Sequence, residues 1–286
     1  MFKEACVFAV AAAGLYYVSK DTIAFGVIRE IVELISMLID IKVHAFRRND
    51  TVWSFVDIFE KRASQYPRCI QFYNIEGESS VTLAELESKA NQVAAWGSKI
   101  GLRQKDVICL MMHNSSDFVA FWLGMAKIGV STALLNTNSQ GKGFLHSVEV
   151  SLEKTPIKIV IMDDAIVPTC KNEISELASM QISCYSWSQL SDQLAGLTTS
   201  RPPPSMRDTV RERDALMYIF TSGTTGLPKA AKISHTKFYI SGLPLVYLGY
   251  LRTGVRMYCC LPLYHSAGGM VGVSACIQTG ATMVLR

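Results

Sequence analysis

A loop rich in glycine and threonine offers the clearest chemistry in this sequence. Residues 215–220 (ALMYIF) are typical of a buried strand, and they lead directly into residues 221–229 (TSGTTGLPK). Glycines in such a loop let backbone amides approach an anion closely, while hydroxyl groups donate further hydrogen bonds and Lys229 adds a positive charge. The segment therefore favours a loop that wraps a polyphosphate.

The loop is not a Walker A motif, and its composition leaves a second interpretation open. No Gly-Lys-Ser/Thr follows the glycines, and residues 230–234 are strand-like, so no helix N-terminus would face the phosphates. An ordinary Gly/Thr-rich turn also explains the composition. We expect Lys232 and Lys237, just beyond the loop, to form a solvated basic edge.

His265 is the second residue whose type and setting point to chemistry. It lies in residues 262–269 (PLYHSAGG), between a predicted strand at residues 258–261 and an apolar helix of small residues. An imidazole exchanges protons near neutral pH, and neighbouring charges tune its pKa. A structural histidine in an apolar setting remains the alternative. The other histidines, which we interpret as structural, are His44, His113, His146 and His235.

The elements that must position these residues have the pattern of an α/β domain. Thr82 and Glu85 form an S/T-x-x-E capping box, which predicts a helix that runs toward Gly101. Apolar strand patterns alternate with helical ones, which predicts a βαβ unit. The predicted segments are strands at residues 106–113, 130–135, 157–162 and 281–285 and a helix at residues 115–128.

The sequence also predicts how the chain is divided. The Pro-rich stretch at residues 198–209 (TTSRPPPSMRDT) is typical of a surface connection. We predict a membrane anchor and amphipathic helix at residues 1–45, a first α/β subdomain at residues 50–200, a linker at residues 201–210, and a second subdomain that carries the loop at residues 211–286.

The N-terminal part has the pattern of a membrane attachment. Residues 5–19 carry no charge, but this run is shorter than the roughly 18 to 20 apolar residues of a confident transmembrane helix. A signal peptide would need a more basic start than Lys3-Glu4. We expect a short anchor followed by a helix that lies on a bilayer or packs on the protein body; an ordinary core helix is the alternative. One face of this helix collects Ile28, Ile31, Ile35, Leu38 and Ile39.

Composition and charge exclude several classes of protein. With 49% hydrophobic and 18% charged residues, the chain is neither disordered nor collagen-like. The net charge of +4 is uneven, since residues 201–286 hold 10 basic and 3 acidic residues; this suits phosphate or anionic lipid, or acidic partners outside this sequence. The basic residues are dispersed without an aromatic platform, so we expect no nucleic-acid partner. Eight scattered cysteines predict neither disulfides nor zinc.

Two motifs together resemble a known enzyme family. Residues 218–231 (YIFTSGTTGLPKAA) resemble the AMP-binding signature of adenylate-forming enzymes, and residues 261–267 (LPLYHSA) follow. The pair is most similar to the fatty acid transport proteins, also called very long-chain acyl-CoA synthetases. The resemblance implies an α/β fold: the large N-terminal domain of the adenylate-forming fold, built of βα subdomains, incomplete, with an N-terminal membrane-associated helix. It extends over residues 55–286, with further similar stretches at residues 88–94, 101–106, 122–129 and 134–136.

The resemblance implies a two-step chemistry and assigns residues to it. Long-chain or very long-chain fatty acids would be activated by ATP and Mg2+ through acyl-AMP and transferred to CoA as co-substrate, which couples activation to fatty acid uptake. His265 would lie beside the reacting carboxylate in the acyl and adenylate pocket, and Thr224 would reach Mg2+ through ATP. The implied nucleotide contacts are Tyr218, Ile219, Phe220, Thr221, Ser222, Gly223, Thr224, Thr225, Gly226, Leu227, Pro228 and Lys229.

The resemblance also implies partners and a membrane location. The expected partners are fatty acid, nucleotide and a membrane, with a homo-oligomer as a further expectation. The endoplasmic reticulum is the first expected membrane, and the plasma membrane and the peroxisome are alternatives. A different class of function also stays open, namely a membrane protein that binds or transports fatty acid without catalysis.

One departure from the family pattern concerns the end of the sequence. Family members continue with a Thr-Glu pair, an Asp for the ribose, a hinge Arg and a C-terminal Lys, whereas this sequence ends at Arg286. The predicted strand at residues 281–285 would then leave a sheet edge uncovered. We therefore expect an N-terminal fragment that lacks ligase activity as written.

Overall fold

The structure is a computed structural model that describes residues 22–45, 53–221, 226–249 and 251–286. The apolar run at residues 5–19 lies outside the described residues. So do Ser222, Gly223, Thr224 and Thr225 of the predicted phosphate loop. The described part consists of two β-sheets with helices packed around them.

Helices and strands alternate along most of the chain, as the sequence pattern predicts. The strands are β1 (Ile70–Asn74), β2 (Ser79–Thr82), β3 (Val107–Met111), β4 (Ser131–Leu134), β5 (Ile159–Met162), β6 (Ser183–Ser186), β7 (Ala215–Thr221), β8 (Lys229–Ser234), β9 (Arg256–Cys259) and β10 (Thr282–Leu285). The α-helices are α1 (Thr22–Ala45), α2 (Phe55–Gln65), α3 (Leu83–Lys99), α4 (Ser116–Lys127), α5 (Gly141–Leu152), α6 (Lys171–Ser179), α7 (Trp187–Leu194), α8 (His235–Tyr247) and α9 (Val273–Thr279). A π-helix spans Ser266–Gly272, and short 3-10 helices span Val167–Cys170 and Pro204–Arg207.

The larger sheet has six strands in the order β6-β5-β3-β4-β7-β8. All neighbours in it are parallel except β8, which pairs antiparallel with β7. Its inner strands β3, β4 and β5 are almost wholly buried. This explains why their sequences are continuous apolar runs rather than alternating apolar and polar residues. The predicted βαβ unit is confirmed as β3, α4 and β4.

The smaller sheet has four strands in the order β2-β1-β10-β9. Strand β10 lies between β1 and β9 and pairs in parallel with both, with Met283 opposite Phe72 on one side and Met257 on the other. Strand β10 is therefore an inner strand of this sheet, and among the described residues β9 lies at the edge beyond it, so the expectation of an uncovered sheet edge stays a prediction. Strand β1, far earlier in the chain, covers one side of β10, and β9 covers the other.

Both sheets contain strands from before and after residues 201–210. In the larger sheet β4 pairs with β7, and in the smaller one β1 pairs with β10. This segment is also tied to the body, because the buried guanidinium of Arg207 pairs with Asp57 at 3.0 Å and with Glu60 at 2.7 Å. The division into subdomains at this point stays a prediction, and it is not a boundary between the two sheets.

Local capping and burial explain how the helices attach. The capping box of α3 is confirmed, since the Glu85 N–H donates to Thr82 Oγ1 at 3.2 Å and the Thr82 N–H donates to Glu85 Oε2 at 2.8 Å. The main core includes the aromatic side chains of Phe55, Trp122 and Phe238, which meet edge to face. A second core covers the opposite face of the larger sheet.

Helix α1 is attached to α8 through a polar contact and leaves much of its apolar surface uncovered. The Asp40 carboxylate accepts hydrogen bonds from the hydroxyls of Tyr239 at 2.9 Å and Tyr247 at 3.2 Å. Leu38 is 54% exposed and Ile39 is 52% exposed. The predicted helix and its apolar face are thus present. Among the described residues, no helix is both long and apolar enough to cross a bilayer.

Candidate active site

A cavity of about 660 Å³ opens where strands β4 and β7 end. These two strands are parallel, so their carboxyl ends lie at one edge of the larger sheet, where open α/β sheets bind ligands. Five described residues of the predicted nucleotide segment line this cavity, and His265 lines it with them. The lining residues are Leu135, Asn136, Ser139, Phe144, Ser147, Ile219, Phe220, Thr221, Gly226, Pro228, Ala231, Ile233, His265 and Ser266.

The β7–β8 hairpin supplies one wall of the cavity. Thr221 lies opposite Lys229 at the mouth of the hairpin, and its hydroxyl lies 3.5 Å from the Lys229 carbonyl oxygen. Gly226 has a φ of 85°, in the left-handed region that glycine adopts without strain. The two ends of the predicted loop are thus fixed by a strand pair, with the backbone at Gly226 facing the cavity.

Three of the described residues of the predicted set lie outside the cavity wall. Tyr218 lines a separate, smaller cavity with Lys105 and Asp214, and burial raises the pKa of its hydroxyl. Leu227 and Lys229 are exposed beside the hairpin. The structure therefore places Ile219, Phe220, Thr221, Gly226 and Pro228 at the cavity and leaves Lys229 exposed next to it.

The wall opposite the hairpin comes from the turn after β4 and from α5. Asn136 shapes the turn, because its Oδ1 accepts from the Asn138 N–H at 2.9 Å and its carbonyl accepts from the Ser139 N–H at 3.0 Å. Phe144 and Ser147 of α5 are buried and face the cavity. Sequence reasoning missed both α5 residues, because a helical apolar pattern does not show which face meets a ligand.

His265 stands at the start of the π-helix, on an exposed part of the cavity wall. Its N–H donates to the Pro262 carbonyl at 3.1 Å, and its carbonyl accepts from the Gly269 N–H at 2.8 Å. The Tyr264 ring lies 4.8 Å from the imidazole between centroids. Among the described residues, no hydrogen bond to the imidazole nitrogens is present, so the ring is open to a ligand in the cavity.

The other candidates from the sequence have structural settings. His235 is buried, and its Nδ1 accepts from the Phe55 N–H at 3.1 Å. Burial lowers the pKa of His235 to about 4, so this histidine is neutral at physiological pH. Lys232 and Lys237 are exposed, which confirms the solvated basic edge.

The cavity combines features that suit a phosphate chain joined to an apolar group. Its lining brings together hydroxyl groups, aromatic and aliphatic side chains, and the His265 imidazole, whose nitrogens form no hydrogen bond with any described residue. Within the described ranges, no group of three or more His, Cys, Asp or Glu side chains is placed to hold a metal ion.

Comparison with known proteins bears on the same region. The family model for AMP-binding enzymes matches residues 59–286. Long-chain fatty acid transport protein 2 of Rattus norvegicus is 32% identical over 255 residues, which cover 86% of this chain and 40% of the relative. The chain thus spans about two fifths of the length of that curated relative.

Solved structures share the fold at low sequence identity. A fatty acyl CoA synthetase of Mycobacterium tuberculosis has a TM-score of 0.70 at 21% identity, over 82% of this chain and 44% of that one. ATP-bound MatB of Rhodopseudomonas palustris has a TM-score of 0.66 at 21% identity, over 81% of this chain and 45% of that one. The signature and the fold therefore agree, and this chain belongs to the AMP-binding enzyme family.

Proposed function

We propose that the protein activates long-chain or very long-chain fatty acids with ATP and passes the acyl group to CoA, and that this activation drives fatty acid uptake. One observation carries the proposal: the described ends of the signature loop and His265, which are far apart in sequence, line a single cavity at the carboxyl ends of parallel strands. The similarity to long-chain fatty acid transport proteins supports the choice of substrate.

The first step joins the two substrates. A carboxylate oxygen of the fatty acid attacks the α-phosphorus of ATP, and the bond to the bridging oxygen of pyrophosphate breaks with its electron pair. Negative charge crowds the phosphorus in this step, so positioned N–H and O–H donors stabilise it most. The loop from Thr221 to Lys229 supplies such donors, and the His265 imidazole orients the carboxylate by a hydrogen bond.

The second step releases AMP. The CoA sulfur attacks the acyl carbon, the thioester bond forms, AMP leaves with the electron pair of the acyl–oxygen bond, and the thiol proton passes to solvent. Mg2+ would screen the phosphates, with the Thr224 hydroxyl as its proposed contact through ATP.

The test measures ATP–pyrophosphate exchange by purified full-length protein. We expect exchange that depends on a fatty acid of long or very long chain. Lys229→Ala and Thr224→Ala should lower this exchange by roughly 10- to 100-fold, because each removes a charged or hydroxyl contact to the phosphates. Lys232→Ala is the matched control, since Lys232 is an exposed lysine of the same strand, outside the cavity wall.

Two outcomes would contradict the proposal. Full-length protein that binds fatty acid but shows no exchange would favour the alternative, a membrane protein that binds or transports fatty acid without catalysis. Equal losses of exchange and of folding in Lys229→Ala would assign the loop a purely structural role, which the midpoint of urea unfolding would reveal.

We also propose that the protein works on a membrane through α1. The large apolar side chains that α1 leaves exposed include Ile31 and Val43 in addition to Leu38 and Ile39. Such a surface lies stably at the boundary between headgroups and acyl chains. The endoplasmic reticulum is the proposed membrane, with the plasma membrane or peroxisome as alternatives. A homo-oligomer through the same surface is the alternative role of this helix.

The membrane proposal predicts a loss of vesicle binding. Leu38→Glu with Ile39→Glu should weaken sedimentation of the protein with phosphatidylcholine and phosphatidylserine vesicles by at least about tenfold, because charges then enter the apolar face. Val150→Glu, at a comparably exposed apolar position on α5, should bind like the wild type. Light scattering that showed dissociation of a dimer, with vesicle binding unchanged, would favour the homo-oligomer instead.

A further inference from the structure

The segment that carries His265 lines two cavities. His265 and Ser266 face the cavity of about 660 Å³ that the described ends of the signature loop also line. Cys260, Pro262 and Tyr264 face a second cavity of about 390 Å³. Residues 260–265 lie between β9 and the π-helix and belong to neither element, so side-chain contacts from other segments help to fix their position.

Asn114 supplies such a contact from the larger sheet. Its side-chain Nδ2 donates to the Leu261 carbonyl at 3.1 Å, and its Oδ1 accepts from the Leu263 N–H at 2.8 Å. A carbonyl accepts and an N–H donates, so the backbone fixes the orientation of the amide. One side chain thus pairs with this stretch of backbone as a neighbouring strand would.

The position of Asn114 is itself well defined. It follows β3 and directly precedes Ser115, whose hydroxyl caps α4 by accepting from the Phe118 N–H at 3.0 Å. Strand β3 is a central strand of the larger sheet, and α4 is almost entirely buried. The amide is therefore held by rigid elements on both sides along the chain.

The π-helix packs against the same backbone stretch, residues 261–263, through its glycines. A Cβ atom at Gly268 would lie 2.7 Å from the Pro262 carbonyl oxygen, and one at Gly269 would lie 1.8 Å from that of Leu263. These glycines allow the helix backbone to pack directly against residues 261–263. His265 lies between the stretch held by Asn114 and the glycines that pack on it.

We propose that Asn114 is a positioning residue that sets the location of the His265 imidazole for the acyl-activation step. Asn114 itself lines the second cavity, and it acts on His265 through the backbone of Leu261 and Leu263. The proposal rests on the proposed function for its effect on catalysis. The pair of hydrogen bonds from Asn114 to Leu261 and Leu263, here called the Asn114 clamp, can be tested without measuring enzyme activity.

The test uses full-length protein and two buried thiols as reporters. Cys259 is 6% exposed, and its thiol donates to the same Leu261 carbonyl at 3.4 Å, whereas Cys109 lies fully buried in β3. Asn114→Ala should speed alkylation of Cys259 by N-ethylmaleimide by about tenfold, read by peptide mass spectrometry, and leave Cys109 unchanged. The control is Asn74→Ala, which removes an exposed amide contact to Ser79 in the smaller sheet.

The kinetic arm uses the same variants. Asn114→Ala should lower kcat for ATP–pyrophosphate exchange by roughly 10- to 100-fold, because a displaced imidazole misaligns the carboxylate. The KM for ATP should stay within about twofold, since the phosphates are held by a different wall. Asn114→Asp loses the donor to Leu261, so it should expose Cys259 as the alanine variant does.

Each possible result of these experiments tests one part of the proposal. Unchanged Cys259 alkylation in both variants would refute the clamp. Equal acceleration at Cys259 and Cys109 would show that Asn114 supports only global folding, which also refutes positioning. Faster Cys259 alkylation with unchanged kcat would refute the link to His265. Wild-type protein without exchange would refute the proposed function, while the alkylation result would still decide the clamp.

Discussion

Replacement of Gly269 by alanine tests how tightly the His265 segment is built. The new Cβ would lie 1.8 Å from the Leu263 carbonyl oxygen and 2.9 Å from its carbonyl carbon, whereas real Cβ contacts stay beyond 3.0 Å. The opposing atoms belong to backbone, which cannot rotate away as a side chain does. We expect Gly269→Ala to lower the free energy of unfolding by about 3 kcal/mol, the upper part of the usual range for overpacking.

The assay compares urea unfolding with ATP–pyrophosphate exchange in full-length protein. Because the Gly269 N–H also donates to the His265 carbonyl, exchange should fall by more than the loss of folded protein accounts for. Gly143→Ala is the matched control: its nearest neighbour is 3.8 Å away, and an alanine in α5 should stabilise by about 0.5 kcal/mol. If Gly269→Ala unfolded at the wild-type urea concentration, the close-packing argument would be refuted.

Two further predictions concern buried titratable groups. Lys127→Met should lower the free energy of unfolding, measured by urea titration, by about 3 kcal/mol, because the buried ammonium pairs with Glu60 at 2.7 Å and with Glu87 at 3.2 Å. The control Lys154→Met, at an exposed lysine, should change the free energy of unfolding by less than about 0.5 kcal/mol. The depressed pKa of His235, about 4, means that the folded state holds it neutral, so its contribution is present above pH 6.5 and is lost as pH falls toward 4. The neutral His235 should therefore contribute a drop of about 2 kcal/mol in the free energy of unfolding of the wild type between pH 7.5 and pH 5. This contribution should be absent in His235→Gln. An identical drop in both proteins would contradict the prediction.

Much of the local structure follows from the sequence, for identifiable reasons. The capping box at Thr82 predicts the start of α3, because the hydrogen bonds that form it are local. The apolar runs predict β3, β5 and β7, because buried parallel strands need apolar side chains on both faces. The signature loop and His265 are likewise visible as motifs, although the sequence alone left an ordinary turn and a structural histidine as alternatives.

What the sequence left undetermined are contacts between distant segments. The place of β10 between β1 and β9 depends on pairing across about two hundred residues, which no local pattern encodes. The choice of Phe144 and Ser147 as cavity residues depends on which face of α5 meets the hairpin.

The sequence by itself determined the family, the signature loop and the amphipathic character of α1, because each depends on residues that are close together along the chain. Only the tertiary structure decided that the described ends of the loop and His265 share one cavity, that Asn114 bonds to the backbone of Leu261 and Leu263, and that α1 joins α8 through Asp40 while several of its apolar side chains stay exposed. These depend on hydrogen bonds and packing between elements far apart in sequence, whose free energy appears only once the sheets have formed.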